Sequence, residues 1–420
     1  MKIHASFFIA LRYLWGRGRE GVRYLRGAAA GIAVSLVPII VTLIVADGMI
    51  RGITDRYLEL GTGHLQVFDL VNSNDMESTL GKIREIGGIK GVWPEQRGTG
   101  VIAGRGGKTG ITVRSIESSF WDDPESSLLL KIIDGEKRPE TDRDIVLGET
   151  LAENIGAGVG DTVRLMTVRQ REGRLSPRTA SFTVKGILSC GYNELDALWC
   201  ITSWEGGNRV LSSEQSSASF IVKVDDPYKK AENYLYLLYE KLGSGYSVYT
   251  WKELLRSQYS SYETTRQLLL FIMALIVIVA AVNVSSATSM LVLERQRDIA
   301  VLKVSGASVR GVTDVFLWGS FLTGLAGGII GVTLGLLIGS NINFLIRSLE
   351  KILTFFSGLF NGAEVKILDP GFYLETIPII IDWNAVLMIW LFTILCSVLA
   401  SLIPAYKAGK LKPMDLLRKT

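Results

Sequence analysis

Histidine is nearly absent: among 420 residues only His4 and His64 occur, and neither stands near a cysteine or carboxylate cluster in sequence. Metal binding and His-dependent catalysis are therefore not expected, since both need several such groups at defined spacings. Cysteine is sparse too. Cys190 and Cys200 would allow one bridge in an oxidising compartment, but spacing alone cannot fix the geometry and two separate thiols are the expectation; Cys396 falls in an apolar run. No Walker motif is present. Gly107-Lys108-Thr109 ends like a phosphate loop, yet Ile102 stands where a glycine is required, and Gly156-Ala157-Gly158-Val159-Gly160 lacks the last spacing of a dinucleotide fingerprint. No nucleophile, base and orienting group stand together, so the chain reads as non-catalytic, with no metal and no cofactor of its own.

Four stretches lack every Asp, Glu, Lys, Arg and His: Gly27 to Ala46, Leu268 to Leu293, Val315 to Ile346 and Trp383 to Tyr406. Each reaches the roughly 20 apolar residues that cross a hydrocarbon core. At 48% hydrophobic and 20% charged, the chain is too apolar for an ordinary soluble protein and too charged for a wholly embedded one. The fold class that follows is an α-helical membrane protein with four transmembrane helices plus a large α+β periplasmic domain between helices 1 and 2. The third stretch is longer than one span requires, so it must tilt, bend or run past the bilayer. Gly324, Gly327, Gly328, Gly331, Gly335 and Gly339 offer places to bend or to pack closely. Pro38 should kink the first span. A cleaved signal peptide is not expected, because the first apolar stretch follows a long basic lead.

Basic residues collect on short cytoplasmic flanks. Lys2, Arg12, Arg17, Arg19, Arg23 and Arg26 precede the first span, and Lys407, Lys410, Lys412, Arg418 and Lys419 follow the fourth, which places both termini in the cytoplasm of a multi-pass inner-membrane protein. The net charge of +4 reflects these lopsided flanks and not a nucleic-acid surface. The resulting map is a cytoplasmic lead (1–26), first span (27–50), periplasmic α+β domain (51–249), stalk and second span (250–293), cytoplasmic coupling segment (294–314), third span (315–346), periplasmic loop (347–382), fourth span (383–406) and cytoplasmic tail (407–420).

Within the domain, β-type runs fall at His64 to Phe68, Thr99 to Ala103, Gly110 to Ile116, Asp161 to Thr167, Ser181 to Leu188 and Ser219 to Val224. Helical patterns fall at Glu149 to Ile155, Trp204 to Leu211 and Pro227 to Leu242. Two lobes joined near Gly135 to Asp144 would fit this order. From Thr250 a pattern free of Pro and Gly runs into the second span, predicting one rod about 65 Å long up to Leu293 at 1.5 Å per residue.

Between the second and third spans, Leu293-Glu294-Arg295-Gln296-Arg297-Asp298-Ile299-Ala300-Val301-Leu302-Lys303-Val304-Ser305-Gly306-Ala307-Ser308 reads as a short amphipathic helix ended at Gly306 by a left-handed turn. Periodicity alone fits a contact helix or one lying on lipid headgroups. This stretch, followed by the glycine-rich third span, resembles the coupling helix of MacB/FtsX-type ABC permeases. The ending Pro404-Ala405-Tyr406-Lys407-Ala408, with Pro413-Met414-Asp415-Leu416-Leu417-Arg418, resembles their C-terminus. Ala10-Leu11-Arg12-Tyr13, Asp47-Gly48-Met49, Gly63-His64-Leu65, Val146-Leu147-Gly148-Glu149, Phe182 to Leu188 and Val279-Ala280-Ala281-Val282-Asn283-Val284 narrow the resemblance to the LolC/LolE family of lipoprotein-releasing permeases. The sequence departs from that family at Asp47, where Asn is usual, and at Pro38.

The resemblance implies extraction of acylated lipoproteins from the inner membrane and delivery to a periplasmic carrier. It implies a LolD-like cytoplasmic ATPase dimer that carries ATP and Mg, a second LolC/LolE-like permease (identical or different), a LolA-like carrier and membrane lipid as partners. Glu294, Arg295, Arg297, Asp298, Ile299, Leu302, Lys303 and Gly306 would meet the ATPase. Ile39, Ile40, Leu43 and Ile44 with Phe271, Ile272, Leu275 and Ile276 would line the lipoprotein path, unless they simply face lipid or pack helices. Gly173, Arg174, Leu175, Pro177 and Arg178 stand where the family's carrier-binding hook protrudes. The alternatives are a MacB-like efflux or mechanotransmission permease, or an FtsX-like regulator of a periplasmic hydrolase.

Overall fold

The computed structural model describes residues 7–11, 21–70, 76–171, 174–211, 217–358, 374 and 376–411. In chain order, α1 (Gly21–Arg56) passes into a π-helical turn (Tyr57–Thr62), β1 (Leu65–Asp69), α2 (Met76–Arg84), β2 (Ile89–Ala103) and β3 (Lys108–Ile116). A 3-10 turn (Ser118–Asp122), α3 (Pro124–Leu129), β4 (Lys131–Gly135), β5 (Asp144–Gly148), α4 (Glu149–Ile155), β6 (Thr162–Arg171) and β7 (Arg174–Ser189) follow. Then come α5 (Asn193–Asp196), β8 (Trp199–Thr202), α6 (Trp204–Val210), β9 (Ser217–Val224), α7 (Pro227–Leu242), β10 (Tyr246–Thr250) and α8 (Trp251–Leu254). The chain closes with α9 (Arg256–Glu294), α10 (Gln296–Val304), α11 (Val309–Ser340), α12 (Ile342–Gly358) and α13 (Trp383–Lys410). Two compact units result: residues 1–48, 262–364 and 377–420 form one, and residues 49–261 with 365–376 the other.

The first unit holds helices long and apolar enough to cross a membrane, drawn from α1, α9, α11 and α13. Ile32, Leu36, Ile39, Ile40, Leu43 and Ile44 of α1 pack with Met273, Val277 and Val284 of α9 and Val386 of α13. The glycines of α11 bring backbones together. A Cβ at Gly327 would lie 2.6 Å from the Ala29 carbonyl oxygen, one at Gly331 2.9 Å from that of Ala33, and one at Gly335 2.7 Å from Ile40 Cβ. On the other side, a Cβ at Gly324 would stand 3.1 Å from that of Ser397 on α13. These glycines therefore serve close packing, which in lipid replaces the missing hydrophobic drive between helices. Pro38 sits inside α1 without ending it. The overlong third stretch is resolved by a stop: α11 ends at Ser340, Asn341 leaves helical geometry, and α12 begins afresh.

The second unit is built on a sheet of ten strands, ordered β10-β1-β9-β2-β3-β8-β5-β7-β4 with β6 pairing β2 and β7. Because β6 bonds to both, the strands β2, β3, β8, β5, β7 and β6 close into a ring. Its interior holds Ile102, Val113, Ile145, Leu147, Val163, Leu165, Phe182, Val184 and Cys200, with Leu151 and Ile155 of α4. A second core lies where α2 and α7 cover β1, β9, β2 and β10, through Ile83, Val67, Val222, Leu238 and Val248. Two lobes were expected to meet near Gly135 to Asp144; instead both cores share the long strand β2, which no short linker could replace. The single rod expected from Thr250 is also interrupted. A capping box between Thr250 and Glu253 starts α8, and Leu255 (φ −100°, ψ 22°) separates it from α9.

Candidate functional site

The segment between α9 and α11 is a nine-residue helix, α10, anchored on one side only. Ile299 and Ala300 are buried, with Ile299 packed against Leu291, Val312, Phe316 and Ala405. Ile299 is thus an anchor turned inward. Lys303 donates to the Leu411 carbonyl at 2.6 Å, and Arg295 pairs with Asp298 at 3.2 Å. Gly306 adopts φ +91°, the left-handed stop that its position suggested. Leu302 is half-buried, Arg297 is exposed, and the apolar groups that project furthest are Val301 and Val304, at 63% and 71% exposure. The sequence pattern points to Ile299 and Leu302 as the apolar contact, but the helix turns Ile299 inward and presents Val301 and Val304 instead. One carboxylate oxygen of Glu294 is shielded without a hydrogen-bond partner among the described residues. The surface offered is therefore two valines and an exposed arginine, with the shielded Glu294 carboxylate beside them in sequence.

The residues suggested for a lipoprotein path divide sharply. Ile39, Ile40, Leu43 and Ile44 are almost wholly buried among the chain's own helices, whereas Phe271, Ile272, Leu275 and Ile276 are exposed along one face of α9. Gly173 of the hook lies outside the described residues. Around it, β6 and β7 form an antiparallel hairpin from Thr162↔Thr183 to Arg171↔Arg174, which carries Arg174 and Leu175 at its end. Pro177 opposes Val168 and is exposed, and Arg178 is half-buried with its guanidinium donating to the Leu211 carbonyl at 3.3 Å.

The densest polar arrangement surrounds the continuation of α1 into the second unit, and its partners come from segments far apart in sequence. The π-turn ends at Gly63, whose φ of +71° and contact with Ile221 exclude a side chain. Its last carbonyls are capped by guanidinium groups: Arg114 of β3 donates to Leu60 O and to Gly61 O (3.2 Å), and Arg97 of β2 donates to Gly61 O at 2.8 Å. Glu95, fully buried, pairs with both arginines. Burial pushes the Arg114 guanidinium below its usual range, with the Arg97 charge adding to it and the Glu95 charge opposing it. A second cluster centres on Lys223 of β9, also fully buried, whose ammonium lies 2.6 Å from both Glu59 and Asp123 and donates to Ser126 at 2.7 Å. Burial would raise the Asp123 carboxyl, but hydrogen bonds from Lys223 and the Ser126 N–H outweigh it and hold it below the ordinary range. Arg56 donates to the Cys190 carbonyl, and Tyr228 of α7 donates to Asp55 at 2.6 Å beneath Arg51. Strands, α3 and α7 thus all grip residues 51–62.

His64 stands near carboxylates after all. It forms with Glu59 and Glu125 a group whose ligand atoms lie within 4.8 Å of one another. The donor set does not suit a cation: Lys223 holds Glu59, Lys90 holds Glu125 at 2.6 Å, and His64 spends Nε2 on Glu59 and Nδ1 on the Val224 backbone. Cys190 and Cys200 are separate buried thiols, and burial pushes both upward, which leaves them unreactive.

Membrane-length helices, a mixed α/β domain inserted between the first and second of them, and a short anchored helix between the second and third define a permease subunit. The FtsX-like permease C-terminal family matches residues 270–413, and the MacB-like periplasmic core domain matches residues 27–232. The lipoprotein-releasing system transmembrane protein LolC of Neisseria meningitidis is 28% identical, with 98% of each chain covered. LolE of Haemophilus influenzae is 24% identical, with 99% of each chain covered. The periplasmic region of MacB from Actinobacillus actinomycetemcomitans covers 48% of this chain and 94% of its own at 17% identity and a TM-score of 0.32. The chain belongs to the LolC/LolE-type permeases of the FtsX/MacB family of ABC transporter permeases. Members of this family are transport subunits, not catalytic ones, and membership implies an ABC ATPase as partner.

Proposed function

We propose that this chain is the membrane subunit of an ABC transporter that lifts acylated lipoproteins out of the inner membrane and passes them to a periplasmic carrier. The observation that carries this reading is the end-to-end match to relatives named for lipoprotein release, of both the LolC and LolE kinds. Physical chemistry supplies the demand: withdrawing an acyl chain from lipid costs about 0.8 kcal/mol per CH₂. Such work needs a nucleotide-driven partner and an apolar surface to receive the chains. A LolD-like ATPase dimer, with its ATP and Mg, would dock on α10 through Val301, Val304 and Arg297, with Glu294 at the end of α9 beside them, while Ile299 holds α10 in place. The exposed face of α9 at Phe271, Ile272, Leu275 and Ile276 is the better candidate for meeting acyl chains, and the buried α1 residues would support it from behind. A second LolC/LolE-like permease would complete the cavity, and the β6–β7 hairpin would recruit a LolA-like carrier.

The test is reconstitution. The chain, co-purified with its associated ATPase and permease, should release a lipoprotein from proteoliposomes to a soluble carrier on addition of ATP and Mg. Carrier that never acquires lipoprotein, from vesicles where ATP is being hydrolysed, would overturn the reading. Val301→Asp with Val304→Asp should cut release and ATPase co-purification at least ten-fold while leaving the permease folded.

A further inference from the structure

One guanidinium ties three membrane helices together at the end nearest the second unit's entry points in sequence. Arg266 of α9 donates through Nε to Asp47 Oδ1 at 2.8 Å, and its Nη2 reaches Asp47 Oδ2 at 3.3 Å and Asp382 Oδ2 at 2.9 Å. Asp47 lies on α1, and Asp382 is the N-cap of α13, its Oδ1 committed to the backbone N–H groups of Asn384 and Ala385. The two-point grip on Asp47 is therefore the principal one, with Asp382 a fixed second post.

The same end is held by further polar contacts. Asn343, at the start of α12, donates to Ile377 O at 2.8 Å and accepts from Ile377 N–H at 3.0 Å. Gly48 stands so close to the Pro378 carbonyl that a Cβ would overlap it. The opposite end of the same helices is closed by Leu25, Leu291, Val292, Ile299, Val312, Phe316, Ala405 and Ala408, an apolar cluster that also seats α10. One end is thus fastened by shape and the other by charge. Arg266 and Asp382 are each more than a third exposed and rehydrate when separated, whereas Asp47 is 12% exposed, so parting requires water or another donor to reach its carboxylate.

The fastening also sits at the head of an exposed apolar stripe. Leu268, Phe271, Ile272, Leu275 and Ile276 begin within one turn of Arg266 and continue down α9, while Met273 and Val277 on its other face pack against α1. Parting Arg266 from Asp47 would free the outer end of α9 to swing away from α1 about the apolar end, changing the width of the surface that this stripe borders.

We propose that Arg266 is a releasable latch, a positioning residue that holds the outer ends of α1, α9 and α13 together in the waiting state and must let go of Asp47 during each transport cycle. The inference rests on the transport reading above, but its first readout does not need cargo. In the assembled complex carrying Asp47→Cys and Arg266→Cys, crosslinking by a short cleavable thiol reagent should slow at least five-fold when the ATPase is trapped with nucleotide. An unchanged rate would overturn the latch, whether or not lipoprotein moves. The second readout uses release: the crosslinked complex should lose at least ten-fold in lipoprotein release while still hydrolysing ATP, and cleaving the reagent should restore it. Release at the uncrosslinked rate would equally overturn the latch. If even the parent complex releases nothing, the transport reading fails while the crosslinking rates still decide the latch. Asp47→Arg with Arg266→Asp, which restores the pair in reverse, should recover at least half of the release lost in either single variant, a rescue that a merely structural site would not need charge to give.

Discussion

The first helix is held in two ways along its length. Within the membrane unit it packs closely on the glycines of α11 and on apolar side chains of α9 and α13, and a charged contact, Arg266 to Asp47, comes where the helix leaves that unit. Beyond Met49 the same chain is gripped by Arg114, Arg97, Glu95, Lys223 and Asp123, of which Glu95 and Lys223 are fully buried. Lipid offers apolar surface everywhere, so only close fit distinguishes one helix neighbour from another. In a water-exposed domain apolar burial is available at many registers, and paired buried charges select one, because any other register would leave them unpaired.

Breaking the charged grip should have the largest effect. Arg114→Met leaves Glu95 buried with its pairing weakened and strips the cap from Leu60, which should cost about 3–5 kcal/mol, and adding Glu95→Leu should recover much of it. Thermal unfolding of the full chain in detergent measures both; an unchanged melt for the single variant would show that charge does not hold the turn. Next comes the glycine contact. Gly331→Ala should cost about 1–3 kcal/mol by overpacking, whereas Gly319→Ala, whose Cβ would meet nothing within 4 Å, should be neutral or slightly stabilising in the same assay. Ser308, which caps α11 by accepting from the Gly311 N–H at 3.1 Å, should give about 1 kcal/mol on change to alanine. The smallest effect should appear only in acid. Because the Asp123 carboxyl is held below its ordinary value, its contribution is complete above about pH 4 and is lost as pH falls through the lowered folded value. Asp123→Asn should flatten that limb of the stability profile, and an unaltered acid limb would assign it to other carboxylates.

Most of the architecture was legible because its signals are local. Charge-free runs mark the long helices, and alternation marks β1, β3, β6, β7 and β9. The strands β5 and β8 escaped because both are short and buried on both faces, so they carry no alternation. The stops at Leu255 and Asn341 escaped because neither glycine nor proline marks them. Periodicity could not separate Ile40 from Phe271, since in a membrane helix both faces are apolar and only the neighbours decide which is covered. The charge clusters were invisible for a different reason: Arg114 meets Leu60, and Lys223 meets Glu59, only after the sheet has formed. A lone arginine or lysine inside an apolar strand, as in Ile111 to Ile116 and Ser219 to Val224, was the one available hint.

The order of strands also sets a timetable for synthesis. β1 pairs with β9 and β10, so Leu65 cannot find Thr250 until almost the whole domain has left the ribosome. At roughly 5–20 residues per second, the intervening stretch takes on the order of 10–40 s to make. For that interval the first helix is already complete while β1 has neither of its partners, and the lengths of β2 and β3 wait with apolar faces uncovered. Such long-range closure is slow and exposes strand edges to wrong pairing. The nascent domain therefore spends that interval with strand edges unpaired, a consequence of sheet order alone.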